Sequence, residues 1–152
     1  HGRIVNVSSV SGRISYPFFG AYAASKHALE ALSDALRREL TVYGIDVIVV
    51  EPGTTSTPII DKAGAGAAQY EDTPYGDIIA RMQAESVAER RASAIPVERV
   101  GNIIIAALEK EQPKTRYPIP RKKLSGWLLP RWLPDRWLDR IVAVQVGLHR
   151  LD

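Results

Sequence analysis

The chain has 152 residues, is 45% hydrophobic and carries a formal net charge of +3, a composition that excludes a disordered or low-complexity segment and allows a buried core. It contains no cysteine, which excludes a disulfide framework and thiolate metal sites. His1, His27 and His149 are its only histidines, and no carboxylates cluster around them in sequence, so no metal centre is expected. Within these residues there is no run of about 18 apolar residues that could span a bilayer.

Arg3 to Val7 is a short, nearly continuous apolar run, which predicts a buried strand of a parallel sheet. Asn6-Val-Ser-Ser9 closes that strand and places the Ser9 hydroxyl just beyond it. A loop over Gly12 to Phe19 follows, with Tyr16, Pro17, Phe18 and Phe19 as its aromatic-rich end. Ala21 to Tyr43 predicts one long helix, with Ala24, Ala28, Leu32, Ala35, Leu36 and Leu40 at helical spacing and Gly44 placed to end it. Those alanines suit either an intramolecular core or a close helix–helix contact with a second copy.

Tyr22 and Lys26 lie one turn apart on that helix, and Ser9 precedes Tyr22 by 13 residues. A free phenol, with a pKa of about 10, is a poor base near neutrality and needs a nearby cation to carry its charge. A hydroxyl at Ser9 can hydrogen-bond a reacting oxygen. These three groups are what proton exchange with an alcohol or carbonyl requires. Taken alone, Tyr-x-x-x-Lys is a weak signal, because such a pair usually makes only a surface contact.

Asp46 to Glu51 predicts a second buried strand, ending in Pro52-Gly53. Thr54 to Tyr75 has no period and is rich in Gly, Ala, Thr and Pro; a loop of this length suits a lid, with Gly64-Ala-Gly-Ala67 as hinge. Helices are predicted over Asp77 to Ala92 and Pro96 to Lys110, the latter with Val97, Val100, Ile103, Ile104, Ala107 and Leu108 as its buried stripe. Lys114 to Ile119 predicts a last, edge strand, since Pro118 cannot donate to a ladder.

From Lys114 onward nine Lys/Arg face three Asp, so the basic excess is local to the tail. Trp127, Leu128, Leu129, Trp132, Leu133, Trp137, Leu138, Ile141 and Val142 interleave with those charges, the composition of an interfacial amphipathic segment. A cover over a substrate pocket and a peripheral membrane contact both remain open. No nucleic-acid partner is expected, because Pro130 and Pro134 interrupt any long groove-reading helix and no recognition motif accompanies the charges.

Gly2-Arg-Ile-Val-Asn-Val-Ser-Ser9, Gly12, Ala21-Tyr-Ala-Ala-Ser-Lys26, Val50-Glu-Pro-Gly53 and Thr57 together resemble the catalytic half of the short-chain dehydrogenase/reductase family. The resemblance implies an α/β, Rossmann-like doubly wound parallel sheet present as its C-terminal half, over residues 1–123, with 124–152 as an extension. It implies Tyr22 as general acid/base, Ser9 as the group that holds and polarises the substrate oxygen, and Lys26 as phenolate stabiliser and nicotinamide-ribose ligand. Pro52, Gly53 and Thr57 would line the nicotinamide of NAD or NADP, and Phe18 and Phe19 would join Ser9 around the substrate. An NAD(P)-dependent oxidoreductase of hydrophobic alcohols and their ketones or aldehydes follows, with a homo-oligomer through the Ala21–Tyr43 helix. Lys114-Thr-Arg-Tyr and the Leu-Pro-Asp-Arg of the tail resemble the retinol- and hydroxysteroid-dehydrogenase-like branch.

The family's glycine-rich phosphate turn and its catalytic Asn have no counterpart in these residues. The expectation is therefore a fragment that is inactive alone; the alternative is a chain that acts only as a structural or dimerisation partner. The expected location is cytoplasmic, or peripheral at a membrane surface.

Overall fold

The computed structural model describes residues 2–58, 68–82, 92, 94–120, 127, 130 and 132–148. It forms two compact units, one from His1–Thr55 and Ile95–Arg131, the other from Ser56–Ala94 and Trp132–Asp152.

In the first unit, β1 (Gly2–Val7), β2 (Ile45–Pro52) and β3 (Arg116–Ile119) form a parallel sheet in that order. Gly2 to Val7 pair with Ile45 to Val50, and Val49 to Pro52 pair with Arg116 to Ile119. β2 is the central strand: Val47, Ile48, Val49 and Val50 are each no more than 2% exposed, the two-sided burial expected of its continuous apolar run. The β1 run is only partly buried along most of its length, because β2 is its sole partner strand among the described residues. β3 is the other edge, and Pro118 sits there at no cost to the ladder.

α1 (Gly20–Glu39) and α2 (Val97–Glu109) cover the sheet. Strand alternation assigns their faces. Val50, Ile119 and Val5 pack with Val100, Ile103 and Ile104 of α2 in one apolar cluster. The alternate residues Asn6, Arg116 and Glu51 instead meet side chains of α1 or bridge toward it: Asn6 Nδ2 donates to Ser33 Oγ at 2.9 Å, for example. α1 gives way to a 3₁₀ turn at Leu40–Tyr43, and Gly44, at φ 64° and ψ 33°, caps it by donating to the Leu40 and Thr41 carbonyls. This is the left-handed stop that glycine allows.

The predicted α2 stripe is corrected, and on α1 the two readings left open for the apolar row are narrowed. On α1 the buried residues are Ala23, Glu30 and Ser33, whereas Ala24 and Ala28 are exposed and Leu32 is 61% exposed. The helix turns Glu30 and Ser33 to the sheet, where ion pairs and hydrogen bonds partner them. The first half of its apolar row, Ala24, Ala28 and Leu32, faces outward, while Ala35, Leu36 and Leu40 are half-buried. On α2, Val100 and Ala107 are buried, but Val97 and Leu108 lie at the margin and are exposed.

In the second unit, residues 76–82 are helical, starting one residue before the predicted Asp77–Ala92 helix, and Ile79 is buried. A third helix, α3 (Asp135–Val146), ends at Gly147 with φ 71°. The Gly64–Ala67 hinge, Leu128 and Leu129 lie outside the described residues. Among the described residues no helix is long and apolar enough to cross a membrane.

Candidate active site

In a parallel sheet, side chains that follow the strands' carboxyl ends converge on one rim, where open α/β sheets bind their ligands. Ser8 and Ser9 follow β1 there, and Pro52 and Gly53 end β2. Ser9, 7% exposed and extended at φ −161°, N-caps a 3₁₀ turn over Val10–Gly12, and its Oγ accepts from the Ser11 N–H at 3.1 Å. That contact fixes the oxygen in place by its lone pair.

α1 brings Tyr22 and Lys26 to the same rim. Lys26 Nζ donates to the carbonyl of Val7 at 3.1 Å, so its ammonium is tied to the end of the Ser9 strand. The same nitrogen lies 5.8 Å from the centroid of the Tyr22 ring, within cation–π range. Tyr22 is 43% exposed, which leaves the phenol open to a ligand. His27 Nδ1 pairs with the Ala23 carbonyl at 2.9 Å on the helix surface, as a neighbour of Lys26 on a different face should.

Gly12 makes this arrangement possible. A Cβ there would stand 2.7 Å from Ser8 Oγ, 3.0 Å from Glu30 Cγ and 3.2 Å from the Lys26 carbonyl oxygen. The side chains can yield, but the Lys26 backbone cannot. Gly12→Ala is expected to destabilise the protein by about 1–3 kcal/mol through overpacking, read by urea denaturation. Gly101 of α2 is the control, because nothing lies within 4 Å of its missing Cβ. Gly101→Ala should stabilise by about 0.5–1 kcal/mol through helix propensity. Equal effects at the two positions would contradict the close approach.

Gly53 donates its N–H to the Ile119 carbonyl at 2.9 Å, and a Cβ on it would meet that oxygen at 3.3 Å and Ile95 Cδ1 at 3.4 Å. The Pro52-Gly53 turn is therefore seated against β3. Phe18 is 47% exposed and holds φ 67°, the left-handed region that a bulky side chain rarely adopts. With Tyr16, 37% exposed, it offers apolar surface in the segment between Ser9 and α1; Phe19 is partly buried and N-caps α1. Thr57 belongs to the second unit.

Beneath these residues lies a charged cluster that the motif reading does not include. Arg13 contacts Glu30 at 3.1 Å and Glu51 at 3.3 Å. Arg116 contacts Glu30 at 3.2 Å, Glu51 at 3.4 Å and Asp34 at 2.6 Å, and Arg37 completes it on Asp34 at 2.9 Å. Enclosure and the neighbouring Glu30 push the Glu51 carboxyl above its usual range, against the opposing pull of Arg13 and Arg116. Asp34 also pays for burial, but hydrogen bonds and charge from Arg37 and Arg116 outweigh it and hold that carboxyl low. Two sequence signals could have found it: Glu51 is an acid at the buried end of an apolar strand, where an unpaired charge is untenable, and Glu30 and Asp34 continue the four-residue ridge from Tyr22 and Lys26.

Known proteins resemble this chain in sequence and fold. The family described as short chain dehydrogenase matches residues 1–68. The NADPH-dependent 3-dehydrocapnine reductase of Ornithobacterium rhinotracheale is 41% identical over 140 residues, covering 92% of this chain and 49% of the relative. Retinol dehydrogenase 16 of Homo sapiens is 37% identical over 151 residues, covering 93% of this chain and 47% of that protein. A solved short-chain dehydrogenase from Streptomyces avermitilis superposes with a TM-score of 0.59 at 24% identity, over 97% of this chain and 49% of the other, which shows the shared Rossmann-like fold. The chain spans about half the length of the curated relatives it matches. The family match and these relatives place the chain in the short-chain dehydrogenase/reductase family.

Proposed function

We propose that the protein is an NAD(P)-dependent oxidoreductase that interconverts a hydrophobic alcohol and its ketone or aldehyde, with Tyr22 as general acid/base. The observation that carries this reading is the tether of Lys26 to the Val7 carbonyl, which sets the Tyr22–Lys26 pair beside the strand that delivers Ser9. Lys26 spends one of its three ammonium donors on Val7 and keeps two for ribose hydroxyls, so the donor set fits the nicotinamide-ribose end of a dinucleotide. Pro52 and Gly53, held on β3, supply a rigid wall for the ring, and Thr57 follows them in sequence as a candidate carboxamide contact. The bound nicotinamide accepts or gives the hydride.

The chain's own residues handle the proton. In oxidation the Tyr22 phenolate oxygen takes the hydroxyl proton of the alcohol, and in reduction the Tyr22 O–H returns it to the carbonyl oxygen. Lys26 provides the positive charge against which that phenolate forms. Ser9, its lone pair engaged by the Ser11 N–H, donates a hydrogen bond to the substrate oxygen and aligns it, keeping its own proton. Tyr16 and Phe18 favour an apolar substrate body, and one relative is named for retinol. Another is named NADPH-dependent, so NADPH is the first cofactor to test, alongside NADH. The intact protein is expected to oxidise or reduce members of a panel of apolar alcohols and ketones, followed at the nicotinamide absorbance. No turnover of any member with either cofactor would overturn the reading.

Two surfaces bear on partners. The outward row of Ala24, Ala28 and Leu32 on α1 supports a homo-oligomer through this helix. On α3, Trp137 (61% exposed), Ile141 (46%) and Val144 (75%) share a face flanked by Arg136 and Arg140, which supports peripheral contact with an anionic membrane. Co-sedimentation with vesicles containing phosphatidylserine is expected, weakened by salt and by Trp137→Glu. Equal recovery with neutral vesicles, or none with either, would leave the tail as a pocket cover.

A further inference from the structure

Tyr22, Lys26, Glu30 and Asp34 lie four residues apart in succession, so they form one ridge along α1. The upper two belong to the site described above, and the lower two to the buried charge cluster. Every element that carries a site residue in the first unit sends a side chain into that cluster. Arg13 comes from the segment that begins at Ser9, Glu30 and Asp34 from the helix of Tyr22 and Lys26, and Glu51 from the position before Pro52-Gly53. Arg116 comes from β3, the strand on which Gly53 is seated.

We propose that Arg13, bridging Glu30 and Glu51, is a positioning residue for the reaction: with Arg116 it locks the Ser9 segment, the Tyr22–Lys26 helix and the Pro52-Gly53 turn into a single register. The inference rests on the oxidoreductase reading and names what aligns its parts. Apolar packing supplies only part of this alignment: the fully buried residues of α1 are Ala23, Glu30 and Ser33, while its apolar Leu29, Ala35 and Leu36 are half-buried. Apolar contacts are non-directional and let a helix slide, whereas a guanidinium held between two carboxylates fixes both distance and angle. Glu51 has a fully enclosed side chain and Glu30 one that is 5% exposed, so neither can exchange its arginine partner for water. The lock also accounts for the clearance at Gly12, where Glu30 Cγ and the Lys26 carbonyl are drawn up against the loop.

A residue that only stabilised the fold would, when removed, loosen the whole unit and leave the catalytic rate of the folded fraction intact. The test uses the intact enzyme with Arg13→Met and Arg13→Lys, and Arg38→Met as control, since Arg38 is exposed on α1. Amide hydrogen exchange and steady-state kinetics are read together, the latter with NADPH and the best apolar ketone of the panel. For Arg13→Met the expected result is exchange about tenfold faster at the Ser8, Gly12, Arg13 and Gly53 amides with α2 unchanged. A kcat lower by about 10- to 100-fold should accompany it, with KM and NADPH affinity within about threefold. Arg13→Lys keeps the charge but reaches only one carboxylate, so it should recover part of kcat and show the same exchange pattern at smaller amplitude; it serves if the Met variant does not fold.

Exchange that rises equally in α2, or a kcat that stays at the wild-type value in folded Arg13→Met, overturns the proposal. Wild-type protein with no turnover sinks the oxidoreductase reading and the catalytic role with it. A purely local exchange response would then still establish the register lock, which separates the two failures.

Discussion

Tyr22→Phe in the intact protein is expected to lower turnover by about 10²- to 10⁴-fold, the contribution of a positioned general acid/base. The substitution removes one oxygen and keeps the ring. The ring's place on the first turn of α1 and the Lys26 ammonium 5.8 Å from its centroid should persist, because Lys26 is tethered independently to the Val7 carbonyl. NADPH affinity should therefore change by less than about threefold, since a transition-state interaction is lost and ground-state binding is not. Lys26→Ala differs: it removes the cation and the tether together, so affinity and rate should both fall. Stopped-flow or steady-state measurement of kcat, with fluorescence titration of NADPH, separates the two patterns. Near-wild-type turnover in Tyr22→Phe would remove Tyr22 as the proton carrier.

The largest effect on stability is expected from Arg116→Met. Methionine fills much of the same volume but leaves Glu30, Glu51 and Asp34 without a cation that now contacts all three. Breaking a buried ionic group from one side costs about 3–5 kcal/mol. The lower end applies here, because the Arg116 side chain is 20% exposed and Asp34 27%. The cost should also depend on pH.

Asp34 is held below its ordinary carboxyl value of 3.8, so it stabilises the fold above that value and the contribution is lost as pH falls through the lower folded value. Glu51 is held above 4.5; its ionisation costs the folded state, and the cost disappears as pH falls from the raised value toward 4.5. Losing Arg116 removes support from the ionised form of both. The gap between wild type and variant is therefore largest at neutral pH and narrows on acidification toward pH 4. Urea denaturation at both ends of this window is the measurement. A gap below about 1 kcal/mol at neutral pH would mean that the cluster behaves as a solvated surface network, and a gap that widened in acid would reverse the assigned pKa directions.

Much of this was legible in the chain itself. The three strands, the long helix with its glycine stop, and the α2 segment are written in local pattern: continuous apolar runs, a 3.6-residue period, a glycine able to take φ 64°. The grouping of Ser9, Tyr22 and Lys26 was equally local, because a strand, a short loop and one helical turn bring them to one rim whatever else the chain does.

The faces were not legible. Ala24, Ala28 and Leu32 have the period of a core stripe, yet they face outward, while Glu30 and Ser33 are buried. Hydrophobic periodicity identifies a helix's apolar side, but which side meets the sheet depends on the free energy of every group placed there. Arg13 and Arg116, 103 positions apart in the sequence, make burial of Glu30 and Glu51 tolerable. Short-range pattern thus determined the elements and brought Ser9, Tyr22 and Lys26 to one rim, and tertiary structure alone decided the helix's inward face, since long-range pairing of charges offsets a desolvation cost that no local window contains.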